Sequence, residues 1–386
     1  MLKAYYVEIN PTKTQAKKIR QTIGVCRFVY NFYVAHNSEN YKQGGKFISG
    51  MSFEKWMNNE YLPQNIDKRW IKDVSSKAVK QSIMNGQKAF NDFFKNGKGY
   101  PNFKKKNNED VKAYFPKNNK TDWTIEDKRV KIPTLGFVRL KEHGYIPLNS
   151  NVKSVTVSVK AGRYYVSVLC DVDVSSTANQ DNSFNDGIGT DFGIKDLIVA
   201  SNGITIGNIN KSKEMKRLSK KLKREQRKLS RRLEAKRNRK AKGYCANIAK
   251  QIKIIQRIHK RMANIRNNHL NQAVNILVKT KPKYIAIENL NISGIKKNKH
   301  LAKAISEQKL YTLRTKLEKK CIQHNIELRI VDRWYPSSKT CSCCGYLHRE
   351  LKLSHRKFVC PNCDSKLDRD WNASINLRNT DQYTVA

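Results

Sequence analysis

Apolar residues in the first half of the chain follow two different spacings. Alternation over Tyr5–Ile9 predicts a strand, and Pro11–Gln15 then opens a helical stretch with a threonine cap. Helical spacing resumes over Ser75–Phe94. After a Gly/Pro break the pattern returns to strands, at Val130–Ile132, Phe137–Leu140 and Val152–Val172, with a hairpin turn at Ala161–Arg163. We therefore predict a small β-barrel, residues 1–10 and 112–180, that is interrupted by a helical lobe, residues 11–111.

The second half of the chain predicts a different architecture. Ser175–Asn185 is rich in Ser, Thr, Asn and Asp and predicts a linker, with a domain boundary near residue 180. Strand patterns and one long helical stretch follow in this order: Gly187–Ile194, Leu197–Ala200, Ile204–Ile206, Tyr284–Leu290, the helical stretch Ala302–His324, and Ile326–Val331. Strands that are separated by helices, two of them ending near an acidic residue, predict an RNase H-like α/β sheet.

A strongly basic segment lies between those strands. Lys211–Lys240 contains nine Lys, seven Arg and three Glu, a local charge of +13, and its leucines recur at near-helical spacing. A second helical pattern around Ile255 and Met262 follows the loop at Gly243. The segment 211–270 therefore predicts a basic helical hairpin. A solvated charged face is the alternative, but few acids compensate this charge, which favours contact with a nucleic acid.

Composition points to the same class of partner. The chain has 77 Lys and Arg against 32 Asp and Glu, a formal net charge of +45 in 386 residues. Its 39% hydrophobic residues are enough for packed cores, which argues against a disordered basic tail. The N-terminus has no signal-peptide pattern and no apolar run reaches membrane-span length, so we expect an intracellular, cytoplasmic protein.

Four cysteines near the C-terminus have the spacing of a zinc ribbon. Cys341 and Cys344 form one C-x2-C pair, and Cys360 and Cys363 form the next after fifteen residues. Cys343 offers an alternative register, and His348 and His355 are alternative ligands. Four thiolates close a tetrahedral site, so we predict one structural Zn²⁺. Four other cysteines are scattered along the chain and fit structural thiols: Cys26, Cys170, Cys245 and Cys321.

Three carboxylates are candidates for a second metal centre. Asp191 and Glu288 lie at the ends of predicted strands, and Asp370 lies at the start of a terminal helix. Phosphodiester hydrolysis requires charge neutralisation on both the attacking and the leaving oxygen, which two Mg²⁺ ions held by such acids provide. Each acid alone is more often a strand-end turn former or a helix cap than a ligand, and Asp368, which precedes the helix by two more residues and could cap it, is the alternative to Asp370. Their joint placement favours the metal site.

Several motifs occur together in this chain: Gly189–Lys195, Ile287–Leu290, Tyr335–Ser342, the two cysteine pairs, Asp368–Asn376, and, near the N-terminus, Arg27–Asn31 and Gly99–Lys104. As a set they resemble the motifs of the TnpB family of transposon-encoded nucleases of the prokaryotic cytosol or nucleoid, which is related to type V CRISPR effectors. The resemblance extends over essentially the whole chain. It implies an RNA-guided DNA endonuclease that binds a guide RNA from the transposon end and cuts double-stranded DNA beside a short target-adjacent motif.

The resemblance also implies a domain plan and site residues. The predicted barrel becomes a wedge domain and the helical lobe a recognition lobe. Residues 181–334 and 366–386 become a RuvC nuclease domain with the zinc ribbon, residues 335–365, inserted in it. Asp191, Glu288 and Asp370 become the catalytic, magnesium-binding acids. We expect nucleic-acid contacts at these positions: Lys77, Gln81, Lys104, Lys105, Lys106, Arg217, Lys221, Arg224 and Arg231.

Two other interpretations remain open from the sequence. A nuclease-inactive regulator of the same lineage would bind RNA and DNA without cutting, although all three acids are present. An RNA-independent recombinase or resolvase would need only the compact nuclease core. The aromatics Phe28, Tyr30, Phe32 and Tyr33 either stack on bases or form a helical core, and their spacing with Val29 favours the core.

Overall fold

The computed structural model describes residues 2–106, 112–116, 123–148, 150–172, 187–240, 243, 245–352 and 355–386. Within it the chain forms two compact units, residues 1–174 and residues 175–386. The predicted linker Ser175–Asn185 lies outside the described residues. No helix among the described residues is long and apolar enough to cross a membrane.

The first unit contains a seven-stranded antiparallel sheet. Its strands are β1 (Leu2–Asn10), β2 (Ala113–Pro116), β3 (Thr124–Ile125), β4 (Arg129–Ile132), β5 (Gly136–Leu140), β6 (Asn151–Lys160) and β7 (Arg163–Asp171), in the spatial order β2-β6-β7-β1-β5-β4-β3. β1 pairs with β5 and β7, so the first strand does find its partners beyond the helical segment. Ala161 and Gly162, at φ +53° and +74°, form the predicted turn between β6 and β7.

The sheet differs from the predicted barrel in one respect. β2 and β3 are its edges, and no ladder joins them among the described residues. One face of the sheet instead packs against helices, because Ile19, Cys26 and Ala78 belong to the same buried cluster as the strand residues. Helices therefore bury the apolar face of this sheet, which in a closed barrel would be buried by the strands themselves.

The helices of the first unit surround an aromatic core. They are α1 (Lys13–Lys42), α2 (Gly50–Trp56), α3 (Leu62–Gln64) and α4 (Ser76–Asn96). Thr12 caps α1, and Gln15 completes a capping box by bonding back to the Thr12 backbone. Tyr30 and Tyr33 are buried in this core and Phe28 and Phe32 pack against it, so the core interpretation of these aromatics is confirmed.

The second unit is built on a six-stranded mixed sheet. Its strands are β8 (Ile188–Phe192), β9 (Asp196–Ala200), β10 (Thr205–Gly207), β11 (Tyr284–Glu288), β12 (Glu327–Val331) and β15 (Tyr383–Val385), in the order β10-β9-β8-β11-β12-β15. β8, β11 and β12 are parallel neighbours, and the remaining strands pair antiparallel. The central parallel strands are apolar and buried, as expected for a sheet covered by helices.

Helices connect and cover these strands. They are α5 (Lys213–Asn238), α6 (Ala246–Lys279), α7 (Ile292–Ile295), α8 (Lys299–Gln308), α9 (Leu310–His324) and α10 (Arg369–Asn379). The single helical stretch predicted over Ala302–His324 is wrong in one detail, since Lys309 adopts φ +56° and separates α8 from α9. At this break Lys309 Nζ donates to Asn267 Oδ1 of α6 at 2.9 Å.

Candidate active site and metal centre

Asp191 and Glu288 lie side by side at one edge of the second sheet. Thr190 on β8 pairs with Ile287 on the parallel strand β11, so the next residue on each strand is one of the two acids. The carboxyl ends of parallel strands meet at the same edge, and residues in register point to the same face. The sequence places an acid at the end of each of these apolar strands, and the pairing makes the two acids neighbours.

Asp370 reaches the same edge on the first turn of α10. Gly189 allows α10 to lie directly on β8, because a Cβ atom at that position would be 1.9 Å from the Ser374 carbonyl oxygen. Asp368 caps α10 by accepting from the backbone N–H groups of Asp370 and Trp371, at 2.9 Å and 3.2 Å. Asp368 thus occupies the capping role, and Asp370 is left to face β8.

The three carboxylates interact electrostatically. Burial, followed by the negative charges of Asp370 and Glu288, raises the pKa of Asp191 to about 7. Burial also raises the pKa of Glu288. Arg369, whose Nη2 lies 3.4 Å from Asp370 Oδ1, opposes the rise at Asp191. Buried acids that repel one another in this way are suited to bind a divalent cation, because the cation neutralises the charge that burial penalises.

The acids are less tightly grouped than the cysteines. Within the described residues, the cysteines are the one set of three or more His, Cys, Asp and Glu whose ligand atoms all lie within 4.8 Å of one another. The donor set of the acids is nevertheless of the type that Mg²⁺ takes, since Mg²⁺ binds one or two carboxylates together with substrate oxygens.

Cys341, Cys344, Cys360 and Cys363 form a compact group of four thiols. The Sγ atoms of Cys341 and Cys363 are 3.7 Å apart, and those of Cys344 and Cys360 are 3.6 Å apart. A tetrahedral zinc with Zn–S bonds of about 2.3 Å requires sulfur separations of about 3.8 Å, so the group fits Zn²⁺. The short strand β13 (Lys357–Val359) precedes the second cysteine pair, β14 (Lys366–Asp368) follows it, and the two strands pair antiparallel.

The alternative zinc ligands fall outside that group. Cys343 is exposed and is not among the four converging thiols. His348 packs its ring edge-on against Phe358, with centroids 6.2 Å apart. Cys26, Cys170 and Cys321 are buried free thiols, as predicted, whereas Cys245 is half-buried.

Two buried asparagines that the sequence reasoning did not single out join the zinc ribbon to α10. Asn372 accepts from the Ser342 N–H at 2.9 Å and donates to the Thr340 carbonyl at 2.7 Å. Asn376, one turn later, donates to the carbonyls of Ser337 and Thr340 at 2.8 Å and 2.6 Å. Both are almost fully buried. The helix that carries Asp370 is therefore fastened to the segment that carries the first zinc-ribbon cysteine.

The predicted nucleic-acid residues of the first unit have different environments. Lys77 and Gln81 lie four residues apart on one face of α4, and both are half-buried. Lys105 and Lys106 are exposed. Lys104 is not like its neighbours: its Nζ lies 3.7 Å from the Tyr30 ring centroid, and burial lowers its pKa. The structure gives Lys104 a packing role, reinforced by two hydrogen bonds between its backbone and the Asn31 side chain.

The basic hairpin is formed by α5 and α6. Met215 and Leu218 of α5 pack against Ile258 and Met262 of α6. The four basic candidates on α5 are all exposed: Arg217, Lys221, Arg224 and Arg231. Arg224 differs in lying 3.4 Å from the buried carboxylate of Glu225. The hairpin therefore presents a basic surface along α5.

Comparison with known families matches three parts of the chain. A family described as "Probable transposase" matches residues 167–299, which include Asp191 and Glu288, and "Cas12f1-like, TNB domain" matches residues 311–377, which include the four cysteines and Asp370. A family described as "Helix-turn-helix domain" matches residues 1–46. The structure forms one strand and one long helix there, so the name of that family does not describe the fold of this segment.

Similar proteins cover nearly the full chain. "Putative RNA-guided DNA endonuclease InsQ" of Escherichia coli K12 is 29% identical over 97% of this chain and 91% of its own length. A "Putative RNA-guided DNA endonuclease" of Streptomyces pristinaespiralis is 29% identical over 97% of this chain and 88% of its own. Among solved structures, a Cas12f1–sgRNA–target DNA complex aligns over 100% of this chain and 99% of the Cas12f1 chain, with TM-score 0.57 and 13% identity, which supports a shared fold.

Proposed function

Because this chain belongs to the TnpB family, we propose that it is an RNA-guided DNA endonuclease that uses a guide RNA derived from a transposon end. Base pairing between guide and target would read the DNA sequence, and the protein would read a short target-adjacent motif and the shape of the heteroduplex. The observation that carries the nuclease assignment is the meeting of three carboxylates, on β8, β11 and α10, at one edge of the sheet.

Asp191, Glu288 and Asp370 are the proposed magnesium ligands. When bound, two Mg²⁺ ions supply charge neutralisation at the attacking and leaving oxygens of a phosphodiester. The protein contributes the placement of the acids: β8 and β11 fix Asp191 and Glu288 in register, and α10 brings Asp370 to them. Arg369 holds Asp370 by an ion pair at 3.4 Å. Residues 181–334 and 366–386 are then a RuvC nuclease domain.

The zinc ribbon, residues 335–365, is proposed as a structural element. Its four thiols would hold one Zn²⁺ with no position left for water, which excludes a catalytic role for that ion. Asn372 and Asn376 of α10 hydrogen-bond to the Thr340 carbonyl, next to the first zinc-ribbon cysteine, and so connect the ribbon to α10. Zinc would therefore act on cutting indirectly, through the helix that bears Asp370.

The remaining proposed assignments concern nucleic-acid contacts. The sheet of the first unit would be the wedge and its helices the recognition lobe, with Lys77 and Gln81 near the target-adjacent motif and Lys105 and Lys106 on phosphates. The exposed stripe Arg217, Lys221 and Arg231 would neutralise the backbone of the guide or of the heteroduplex. Lys104 supports the lobe through Tyr30 and is not proposed as a contact.

The test is to express the chain with the DNA that flanks its gene and to sequence any RNA that copurifies. The complex is then assayed with Mg²⁺ on a plasmid library that carries a guide-matched target beside randomised bases. Cleavage restricted to one flanking motif supports the proposal. Bound RNA without cleavage would favour the nuclease-inactive regulator, and cutting without any defined RNA would favour the resolvase.

A further inference from the structure

Trp334 is an unusually exposed side chain for its type. It is 81% exposed, the highest value for any large hydrophobic residue among those the structure describes. Tryptophan is buried to a large degree in most folds, because its ring contributes more apolar area than other side chains. A single exposed apolar residue is ordinary in itself, so its position and its support decide whether it has a role.

The position of Trp334 is at the carboxylate edge of the sheet. It lies three residues beyond Val331, the last residue of β12, and Val331 pairs with Glu288 on the parallel strand β11. The backbone of Asn289, which follows Glu288, donates to the Val331 carbonyl at 3.0 Å. The turn that bears Trp334 therefore leaves the sheet beside the proposed magnesium ligands.

The turn is fixed, although the indole is exposed. The backbone N–H of Trp334 donates to Asp332 Oδ1 at 2.8 Å, and the backbone N–H of Tyr335 donates to the Asp332 carbonyl at 3.2 Å. Tyr335 packs against a buried cluster that contains Val331 and Leu377. A rigid turn that presents a planar side chain loses little entropy when that side chain binds a partner.

The surroundings favour a nucleic-acid partner. Arg333 is exposed, and its guanidinium lies 5.8 Å from the Trp334 ring centroid, within the range of a cation–π contact. A tryptophan beside an arginine matches the requirements of single-stranded nucleic acid, in which bases stack on aromatic rings and phosphates bind cations. Because the turn leaves the sheet beside the proposed magnesium ligands, the occupant that fits best is the DNA strand to be cut.

We infer that Trp334 stacks on an unpaired base of the DNA strand that enters the carboxylate cluster, with Arg333 on an adjacent phosphate. The inference rests on the proposed function for the identity of the strand. Trp334 is thus a substrate-positioning residue: it holds the scissile strand near the acids. A planar replacement should keep part of this role, and a small replacement should lose it.

The first experiment compares RNA-loaded complexes of Trp334→Ala, Trp334→Phe and the unchanged protein. Under single turnover at limiting DNA, Trp334→Ala should cut on the order of tenfold more slowly, the loss expected for one stacked base, while Trp334→Phe keeps most of the rate. Guide RNA binding should be equal in all three. Ile322→Ala is the control and should cut at the unchanged rate. Ile322 is also highly exposed, at 73%, but it lies near the end of α9, before the amino end of β12, whereas the acids lie at the carboxyl ends of the strands. Equal rates for Trp334→Ala and the unchanged protein would overturn the inference.

The second experiment does not depend on cutting. Two proteins are compared, Asp191→Ala and Asp191→Ala with Trp334→Phe. The difference between their tryptophan fluorescence spectra is the signal of Trp334, one of the five tryptophans. Addition of single-stranded DNA to the RNA-loaded complex should quench that difference. Quenching by the guide RNA before DNA is added, or no quenching by DNA, would contradict the inference. If the unchanged protein fails to cut at all, the proposed function fails, and this fluorescence result still decides whether Trp334 binds DNA.

Discussion

Replacement of Gly189 by alanine should damage the carboxylate cluster without removing any carboxylate. The added Cβ would lie 1.9 Å from the Ser374 carbonyl oxygen and 2.5 Å from the Arg378 backbone nitrogen, and real Cβ atoms essentially never come within 3.0 Å of such atoms. Both neighbours are backbone, so no side chain can rotate away. At this point α10 and β8 must move apart by at least 1.1 Å, the difference between 3.0 Å and 1.9 Å.

That movement displaces Asp370 from Asp191, because α10 carries one acid and β8 the other. A misplacement of about 1 Å in a catalytic group costs roughly 10²-fold in rate, equivalent to about 2.7 kcal/mol of barrier. Overpacking also costs about 1 to 3 kcal/mol of stability, so the thermal midpoint should fall by several degrees. The assay is single-turnover cleavage by the RNA-loaded complex at saturating Mg²⁺, with thermal unfolding measured in parallel.

The matched control is Gly24→Ala in α1. A Cβ at Gly24 has no heavy atom within 4 Å, and alanine is the better helix former by about 0.5 to 1 kcal/mol. This variant should cut normally and be no less stable. If Gly189→Ala folds, binds guide RNA and cuts at the rate of the unchanged protein, the close approach of α10 to β8 is not what positions Asp370.

Three further predictions concern other parts of the second unit. Asn376→Asp should slow cutting and lower the thermal midpoint, because a carboxylate would then face the Ser337 and Thr340 carbonyl oxygens, while the zinc content stays at one per chain. The same change at the exposed Asn379 should alter neither the cutting rate nor the thermal midpoint. Loss of zinc from Asn376→Asp would contradict this prediction. In Mg²⁺-free buffer, the free energy of unfolding should fall as pH rises from about 4 towards 7, because Asp191, with a pKa of about 7, keeps its proton in the folded state while the unfolded state releases it. Chemical denaturation of Asp191→Asn over the same pH range should show a smaller fall. An equal fall in the two proteins would count against the mutual repulsion of the acids. Arg217→Ala should reduce the slope of log affinity for guide RNA against log salt by about 0.7 to 0.9, and an unchanged slope would exclude a phosphate contact there.

The position of Asp191 and Glu288 near strand ends can be predicted from the sequence because the signal is local. β8 and β11 are short apolar runs, and Asp191 and Glu288 interrupt them near their carboxyl ends. Parallel pairing then makes the acids neighbours with no further information. The cysteine spacing is equally local, and the four sulfurs converge as it predicts. Asp368 precedes the helix by two more residues than Asp370, which favours a capping role for it, and in the structure Asp368 does cap α10.

Long-range contacts account for what the sequence did not predict. Asn372 and Asn376 bond to backbone groups at least thirty residues away, and nothing in the tract Asp368–Asn376 indicates these partners. The break at Lys309 has no local signal, because a lysine carries no intrinsic preference for positive φ, and its side chain contacts Asn267 of the distant helix α6. Lys104 looks like part of a basic cluster in the sequence, but its ammonium packs on Tyr30 from α1. In each case a partner from a distant element determines the role.

The most direct test of the central claim compares the unchanged protein with Asp191→Ala, each loaded with its copurified RNA, on guide-matched DNA with Mg²⁺. We expect the unchanged complex to cut and Asp191→Ala to bind RNA and target DNA equally well without cutting, because only a proposed metal ligand has been removed. Cutting by Asp191→Ala, or loss of its RNA binding together with its activity, would contradict the assignment of this cluster as the nuclease centre.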